Sequence, residues 1–414
     1  MRRRGSCRRF WRSWGMNKKL QDLAKINYGK SPNEVASRDG EIPIVGTGGV
    51  YGLANEAMFD AGIVVARKGS LGKPSLQKSP FWAVDTTYAV IPNRGVDVEW
   101  LYYSLLNFDL TKLNEATGVP SISREWLSKI EFRTPSTQVQ QKIAACISSV
   151  DASIEKTEAL IEKYQQIKAG LMHDLFTRGV LPDGKLRPTR EQAPELYRET
   201  GIGWIPKEWQ YEFLDKLAIR GSGHTPSKSH PEYWNGGIKW ISLADSYRLD
   251  KLHISETDFE ISQAGINNSS ATLHPVGTVV LSRDAGVGKS AVMTEPMAVS
   301  QHFMCWRCDQ NIDNYFLYYW LQNNKRLFEN IAMGSTILTI GLSYFKKLKV
   351  ACPADIEEQK IIAEKIKAVD FRLQTLGNEL NKKKDQKNGL MHDLLTGKVA
   401  VKVDDETTPG ELVT

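Results

Sequence analysis

Six consecutive residues, Gly-Leu-Met-His-Asp-Leu, occur twice in this chain, at 170–175 and 389–394, 219 positions apart in a total of 414. A period that long means two copies of one large unit, not a solenoid of short repeats. The flanks extend the match, since KAGLMHDLFTR (168–178) lies over KNGLMHDLLTG (387–397). At the same offset Gln140, Ile143, Ala144, Ile147, Val150 and Asp151 return as Gln359, Ile362, Ala363, Ile366, Val369 and Asp370. Upstream, Pro135 matches Pro353, IVVARKGSLGK (63–73) lies over VVLSRDAGVGK (279–289), and GEIPI (40–44) over GGIKW (236–240). The start, LQDLAKINYGKSP (20–32), lies over LDKLAIRGSGHTP (214–226), so the offset climbs from 194 to 219 and never reverses. That order is the mark of one fold duplicated, with an insertion of about twenty residues in the second copy between 45 and 279. The units run over roughly 20–179 and 214–398.

A chain of this length holds two or three domains. With 41% hydrophobic and 25% charged residues it has an ordinary globular composition. It contains no run of eighteen apolar residues that would span a membrane. Five cysteines point to no disulfide framework and to a reducing cytoplasm. The net charge of +6 is carried entirely by Arg2, Arg3, Arg4, Arg8, Arg9 and Arg12, so the rest of the chain is neutral. Binding to a nucleic acid must therefore rest on local patches and not on a global field. Residues 1–15 are expected to be a disordered arm or a mis-called start, with Met16 a natural first residue. Trp14, six before Leu20, argues the other way, because Trp209 stands five before Leu214.

Each unit reads as a mixed α/β part followed by one long helix, an α+β pattern. Runs such as GIVVA (62–66) and GTVVLS (277–282) between glycines are strands, and DVEWLYYSLLNF (97–108) and DNYFLYYWLQNN (313–324) are helices. In 138–175 the residues Ile143, Ile147, Val150, Ile154, Thr157, Ile161, Tyr164, Lys168, Leu171 and Leu175 step alternately by four and three. That is a heptad seam. The second copy has Ile362, Ile366, Val369, Leu373, Leu376, Leu380, Lys383, Lys387, Leu390 and Leu394 at the same places. About 38 residues make a rod of about 57 Å. Equal lengths without an insertion predict that the two helices pair along these seams. The expected boundaries are an arm over 1–15, mixed domains over 16–136 and 209–353, and helices over 137–179 and 354–398. A linker takes 180–208 and an acidic tail 399–414.

Several patterns invite a chemical reading. AGVGKS (285–290) resembles half of a phosphate-binding loop, but Arg283 stands where the first glycine belongs, and the paired RKGSLGK (67–73) is followed by Pro74. A glycine-rich loop presenting Arg67 and Lys73 in one copy, Arg283 and Lys289 in the other, suits phosphates or guanine edges better. Cys305 and Cys308 form a single pair with no second pair, which suits core cysteines rather than zinc. His173 and His392 read as helix-end residues rather than as acid–base catalysts. Tyr233, Trp234 and Trp240 are capable of stacking on bases but fit core packing. The chain carries no dinucleotide fingerprint, no methyltransferase tetrapeptide, no helicase-type acidic box and no complete P-loop.

A mixed domain and a fixed-length helix bearing QQKIA (140–144) or EQKIIA (358–363), the whole repeated, resembles the specificity subunit of type I restriction–modification systems. GEIPIVGTGGVYG (40–52), FDAGIVVARKGSLGK (59–73) and FWAVDTTYAV (81–90) look like a target recognition domain of that family, as do GIGWIPKEW (201–209) and HTPSKSHPEYWNGGIKWI (224–241). The N-terminus departs from the pattern by lacking a clean lead-in. The resemblance implies two α/β target recognition domains separated by two antiparallel coiled-coil helices related by a pseudo-twofold. Each domain would read one half of a split double-stranded DNA site, and the helices would fix the spacing. It also implies docking of two methyltransferase (modification) subunits, which bind S-adenosylmethionine and flip out an adenine. Restriction subunits using ATP and Mg2+ would join them. The chain itself would be non-catalytic, hold no cofactor or metal, sit in the cytoplasm and touch no membrane.

By position, the DNA-facing loops of the first domain are Lys30–Ser31, Thr47–Tyr51 with Gly48, Arg67–Lys73 with Lys68, and the segment ending at Arg124. In the second they are Ser222–Lys228 with His224 and Thr225, Arg283–Lys289, and Ser335–Thr339 with Thr336. The helix residues expected to serve subunit docking are Ile143, Ile147, Val150, Ile154, Ile161 and Leu171, with Ile362, Ile366, Val369, Leu373, Leu380 and Leu390. Two other readings compete: a nucleotide-using enzyme centred on 285–290, and a coiled-coil scaffold without DNA contact.

Overall fold

The computed structural model describes residues 15–334 and 338–401. The arm, the proposed contacts Ser335 and Thr336, and the acidic tail from 402 onward lie outside the described residues. The chain divides into two compact units, 1–159 with 377–414, and 160–376. None of the helices among the described residues is long and apolar enough to cross a membrane.

In the first unit a four-stranded antiparallel sheet has the order Ala24–Tyr28, Thr87–Pro92, Gly62–Ala66, Ser75–Gln77. The strand Gly62–Ala66 is buried at all five residues, as its unbroken apolar run requires. A three-stranded sheet orders Gly49–Ala54, Ile42–Gly46 and Trp82–Ala83, the last pair parallel. The helix Val98–Asn107 starts where the Asp97 carboxylate accepts the Trp100 N–H, and it buries Trp100, Leu101, Tyr103 and Leu105.

The second unit repeats this frame. Its larger sheet runs Ala218–Ser222, Phe303–Cys308, Val279–Ser282, Ser290–Met293, and then adds a short parallel strand, His253–Ile254. Its smaller sheet orders Phe259–Ile261, Trp234–Ile241, Ala298–Val299, again with a parallel last pair. The helix Asn314–Asn323 is capped by Asp313, the counterpart of Asp97. The inserted residues build the 3₁₀ turn Leu243–Tyr247, the extra edge strand and the helix Gln263–Asn267.

The long helices span Thr137–Thr177 and Ile356–Leu395. Every seam residue named from the heptads is buried or half-buried, and none is exposed. Ile143 and Ile147 belong to the first unit's core and Ile362 and Ile366 to the second's. Their side chains are therefore spent inside this chain. Val150, Ile161, Leu171, Val369, Leu373, Leu380 and Leu390 keep part of their surface accessible. The repeated hexapeptide resolves the same way. Met172, Leu175, Met391 and Leu394 are buried, while His173 and His392 are exposed and contribute carbonyls to the hydroxyls of Thr177 and Thr396.

Two polar devices recur. Gln140 is buried at the first helix start, where its Oε1 accepts the Asp97 N–H at 2.8 Å and its Nε2 donates to the Pro135 carbonyl at 2.9 Å. Gln359 does the same with Asp313 at 2.8 Å and Pro353 at 2.9 Å. Farther along, the Tyr103 hydroxyl donates to Asp151 at 2.8 Å, Lys387 pairs with that carboxylate at 2.6 Å, and its ammonium lies 5.7 Å from the Tyr103 ring centre. In the second unit Tyr319 donates to Asp370 at 3.0 Å, Lys168 pairs at 2.5 Å and lies 5.8 Å from the Tyr319 ring. Burial pushes the Tyr103 and Tyr319 phenols up, and the neighbouring Asp151 and Asp370 carboxylates push them further.

One network has no counterpart. Glu358, where the first copy has Val139, accepts from Arg187 twice, from the Val180 N–H at 3.1 Å and from Trp209 Nε1 at 3.1 Å. Only 5% of the Arg187 side chain and 9% of the Glu358 side chain are accessible. The stretch between the helix and Trp209 is thus folded into the second unit, with Val180, Tyr197 and Ile205 buried. Gly179 turns the chain at φ +63, with no room for a Cβ beside Glu358. Removing one partner of a buried pair strands the other's charge. Glu358→Ala is expected to cost about 3–5 kcal/mol, read as a lower unfolding midpoint. The double replacement Arg187→Leu with Glu358→Val is expected to recover only the part due to the stranded charge, because the Val180 N–H and the Trp209 indole still lose their acceptor.

Candidate nucleic-acid interface

In the first unit the loops singled out from sequence converge. The loop after strand Gly62–Ala66 is tied to the segment 120–122 by the Gly69 N–H to the Pro120 carbonyl at 2.9 Å and the Ile122 N–H to the Arg67 carbonyl at 3.0 Å. Gly69 and Gly72 hold φ of +94 and +104, and the Thr47 hydroxyl lies beside Gly69, so a second loop joins the face. Tyr28, which sequence reasoning did not single out, sits at the middle of this face with half its surface exposed. The guanidinium groups of Arg67 and Arg124 lie 5.8 and 5.7 Å from its ring centre. Arg67 is steadied by Nε donating to the Asp85 carbonyl at 3.1 Å. Below, Tyr88 donates to the Ile122 carbonyl at 3.1 Å, and its phenol is pushed up to about 12, chiefly by burial. Lys30, Ser31, Gly48, Tyr51, Lys68, Lys73 and Arg124 are exposed, and Thr47 and Arg67 half-buried. Two arginines over an accessible aromatic ring, with exposed Lys30, Lys68 and Lys73 on the same loops, suit a polyanion carrying flat bases.

The second unit puts other side chains on the same frame. The Ser222 hydroxyl, at the position of Tyr28, donates to the Phe303 carbonyl at 2.9 Å. From there a chain of hydrogen bonds crosses the face. Thr225 donates to Gln301 at 2.6 Å, Gln301 meets His302 Nε2 at 3.3 Å, and His302 Nδ1 meets Asp284 at 2.7 Å. Asp284 also takes the Thr339 hydroxyl, while the Ile340 N–H donates to the Arg283 carbonyl at 2.9 Å. Burial works to raise the Asp284 carboxyl, but the bonds from Thr339 and His302 outweigh it and hold it below the usual carboxylate range. Gln301 and His302, the linkers between the 222–228 and 283–289 loops, carried no sequence signal, because their first-copy counterparts are Asp85 and Thr86. His224 and Lys228 are exposed, and Ser222, Thr225, Arg283 and Lys289 half-buried.

Two expected contacts differ from their twins. Arg283 is drawn against Asp284 at 3.4 Å, where the first copy has Lys68 beside Arg67, so two like charges become a neutral pair. Lys289 donates to the Ser246 carbonyl at 3.1 Å and supports the inserted turn, while Lys73 stays free at the surface. Those bonds also remove the nucleotide reading of 285–290. Ser290 is fully buried, with its hydroxyl taken by Gln322 at 2.8 Å and its N–H by Asp250 at 3.1 Å. Cys305 and Cys308 lie on one strand, burial pushes both thiols up, and no metal-competent cluster occurs among the described residues.

Comparison with known proteins gives one answer throughout. The model of the type I restriction modification DNA specificity domain matches residues 13–166 and again 206–384. The chain is 25% identical over 322 residues to the type I restriction enzyme MjaVIII specificity subunit of Methanocaldococcus jannaschii, covering 75% of this chain and 72% of that protein. It is 22% identical over 402 residues to the EcoDI specificity subunit of Escherichia coli, covering 91% and 86%. The likeness to the MjaIX specificity subunit of M. jannaschii, 29% identical, spans 40% of this chain and only 39% of that protein. The crystal structure of the type I restriction-modification system S subunit from M. genitalium shares the fold, with a TM-score of 0.62 and 15% identity over 92% of this chain and 96% of that one. A duplicated frame with two differently furnished loop faces, matched twice by one domain model, leaves a single conclusion: the chain belongs to the family of type I restriction–modification specificity subunits.

Proposed function

We propose that the residues 16–136 and 209–353 are two target recognition domains, each reading one half of a bipartite double-stranded DNA site. The observation that carries this is the pairing of an unchanged frame with changed side chains. The same loops hold Tyr28, Arg67, Lys68 and Thr86 in one copy and Ser222, Arg283, Asp284 and His302 in the other. A homodimeric reader presents one surface twice and asks for a palindrome. Two unlike surfaces ask for two unlike half-sites.

In this reading the helices 137–179 and 354–398 form an antiparallel coiled coil with pseudo-twofold symmetry that sets the half-site separation. The repeated Asp–Lys pairs support it, since Asp151 and Lys168 return as Asp370 and Lys387 with their partners exchanged. Exposed faces of the helices dock two modification subunits, and restriction subunits join that assembly. The chain itself performs no chemistry, and S-adenosylmethionine, ATP and Mg2+ belong to those partners. A solved relative is described in terms of complex assembly and conformational transition of the type I system.

Selection from a random duplex pool by the chain with its modification subunits is expected to enrich a split sequence, and enrichment of none sinks the reading. Arg67→Ala is expected to weaken the selected duplex by about 1–3 kcal/mol, with the loss confined to certain bases in one half. An equal loss on every sequence would mean a phosphate contact. Four residues inserted after Thr157 add about one turn, about 6 Å of rise, and break the heptad. The enriched spacing is then expected to change or assembly to fail, and unchanged spacing would remove the ruler.

A further inference from the structure

The second unit carries an open pocket of about 400 Å³ lined by Thr225, Trp234, Trp240, Phe259, Ser300 and Gln301, among others. That lies within the range of small-ligand sites, about 300–1,000 Å³. Trp234 and Trp240 meet edge to face with centroids 5.2 Å apart. Their indole N–H groups are already spent on the 222–228 loop, Trp234 on the Ser227 carbonyl at 3.2 Å and Trp240 on the His224 carbonyl at 3.1 Å. Trp240 is only 5% exposed and packs with Ile261, Ala271 and Ala298, so the accessible carbon surface comes from half-buried Trp234. Phe259 adds a third ring, half of it exposed. Ser300 is 1% exposed, and its hydroxyl finds no partner among the described residues. A buried hydroxyl left unsatisfied costs stability and calls for an explanation.

The frame does not require this pocket. In the first unit Ile44 pairs with Trp82 and Val45 with Ala83. In the second, Trp240 pairs with Ala298 and Ile241 with Val299. Val84 therefore stands where Ser300 stands. There Val35, Ile44, Ala54, Trp82 and Val84 close into an apolar cluster. Trp82 donates to the Lys30 carbonyl at 3.0 Å, and Lys30 is the counterpart of His224. The same loop carbonyl is thus held by an indole in both copies, but from neighbouring strands. In the second copy the exchange leaves Ala298 and Ser300 on the strand that carries Trp82 and Val84 in the first.

We propose that this pocket receives one nucleobase of the bound DNA, turned out of its stack. The inference rests on the reading of the chain as a DNA specificity subunit. A base offers two π-faces to the rings and a polar edge to Ser300, Thr225 and Gln301. The pocket lies beside the Thr225–Gln301–His302–Asp284 chain, where the loops of that domain gather. The first unit, where Val84 in place of Ser300 joins an apolar cluster, is expected to read its half-site without such a pocket.

The test uses the full-length chain and the duplex that selection enriches, with each base of the second half-site removed in turn to leave an abasic position. Ser300→Ala deletes a hydroxyl that bonds nothing, so it is expected to raise the thermal midpoint while weakening binding of the intact duplex about fivefold. Phe259→Ala is expected to weaken it about tenfold. At one position, removal of the base should make both variants bind like the wild type. Variants that bind the intact duplex as tightly as the wild type overturn the proposal. So does a deficit that persists at every abasic position, which would mark a structural effect. Failure to enrich any sequence falls instead on the specificity reading itself.

Discussion

The arrangement of each unit depends on one carboxylate. Asp151 receives the Tyr103 hydroxyl from a helix of the mixed domain and the Lys387 ammonium from the far end of the second long helix. Three segments scattered over the chain are thereby fixed at one point, and Asp370 does the same with Tyr319 and Lys168. Apolar seams tolerate slippage by a heptad. A half-buried ion pair with a shared hydroxyl does not, because a shift leaves a charge without a partner in a poorly solvated place. The buried glutamines act one step earlier. Gln140 and Gln359 each fasten the start of a long helix to the main chain leading into the domain helix, so helix and domain move as one body.

Much of this was legible because duplication repeats what packing demands. The heptad positions, the strand runs and the capping aspartates appear twice in the sequence, and each sits where its period requires. Asymmetric features were not legible. Glu358 and Arg187 form the best-shielded ion pair of the second unit, yet the first copy has Val139 in place of the glutamate, so no comparison of the copies points to it. The tryptophan exchange between neighbouring strands is likewise invisible, since Trp82 aligns with Ala298 and Trp240 with Ile44. Only strand pairing reveals that both rings serve the same loop. Arg67 and Arg283 align perfectly, but the residue after each decides what the guanidinium faces.

The loop faces show how one frame supports two surfaces. Main-chain bonds between the glycine-rich loop and its neighbour recur in both copies, from Gly69 and Ile122 in one to Ala285 and Ile340 in the other. Glycines with positive φ keep that loop's shape whatever side chains stand between them. The side chains are then free to change from stacked arginines over Tyr28 to a hydrogen-bonded chain through His302. Diversity sits on the loops because the backbone beneath them is satisfied without the side chains.

The exchanged ion pairs have a consequence for what each half of the chain must supply. Residues up to Arg178 carry an aspartate and a lysine at fixed registers, Asp151 and Lys168, and the later residues carry the same two, Asp370 and Lys387. Each half holds one member of both contacts, so each half is its own complement. In these two ion pairs a second copy of either half would offer the same partners. A joint built on such pairs asks each half for the same two residues at the same two registers, whatever side chains its loops carry.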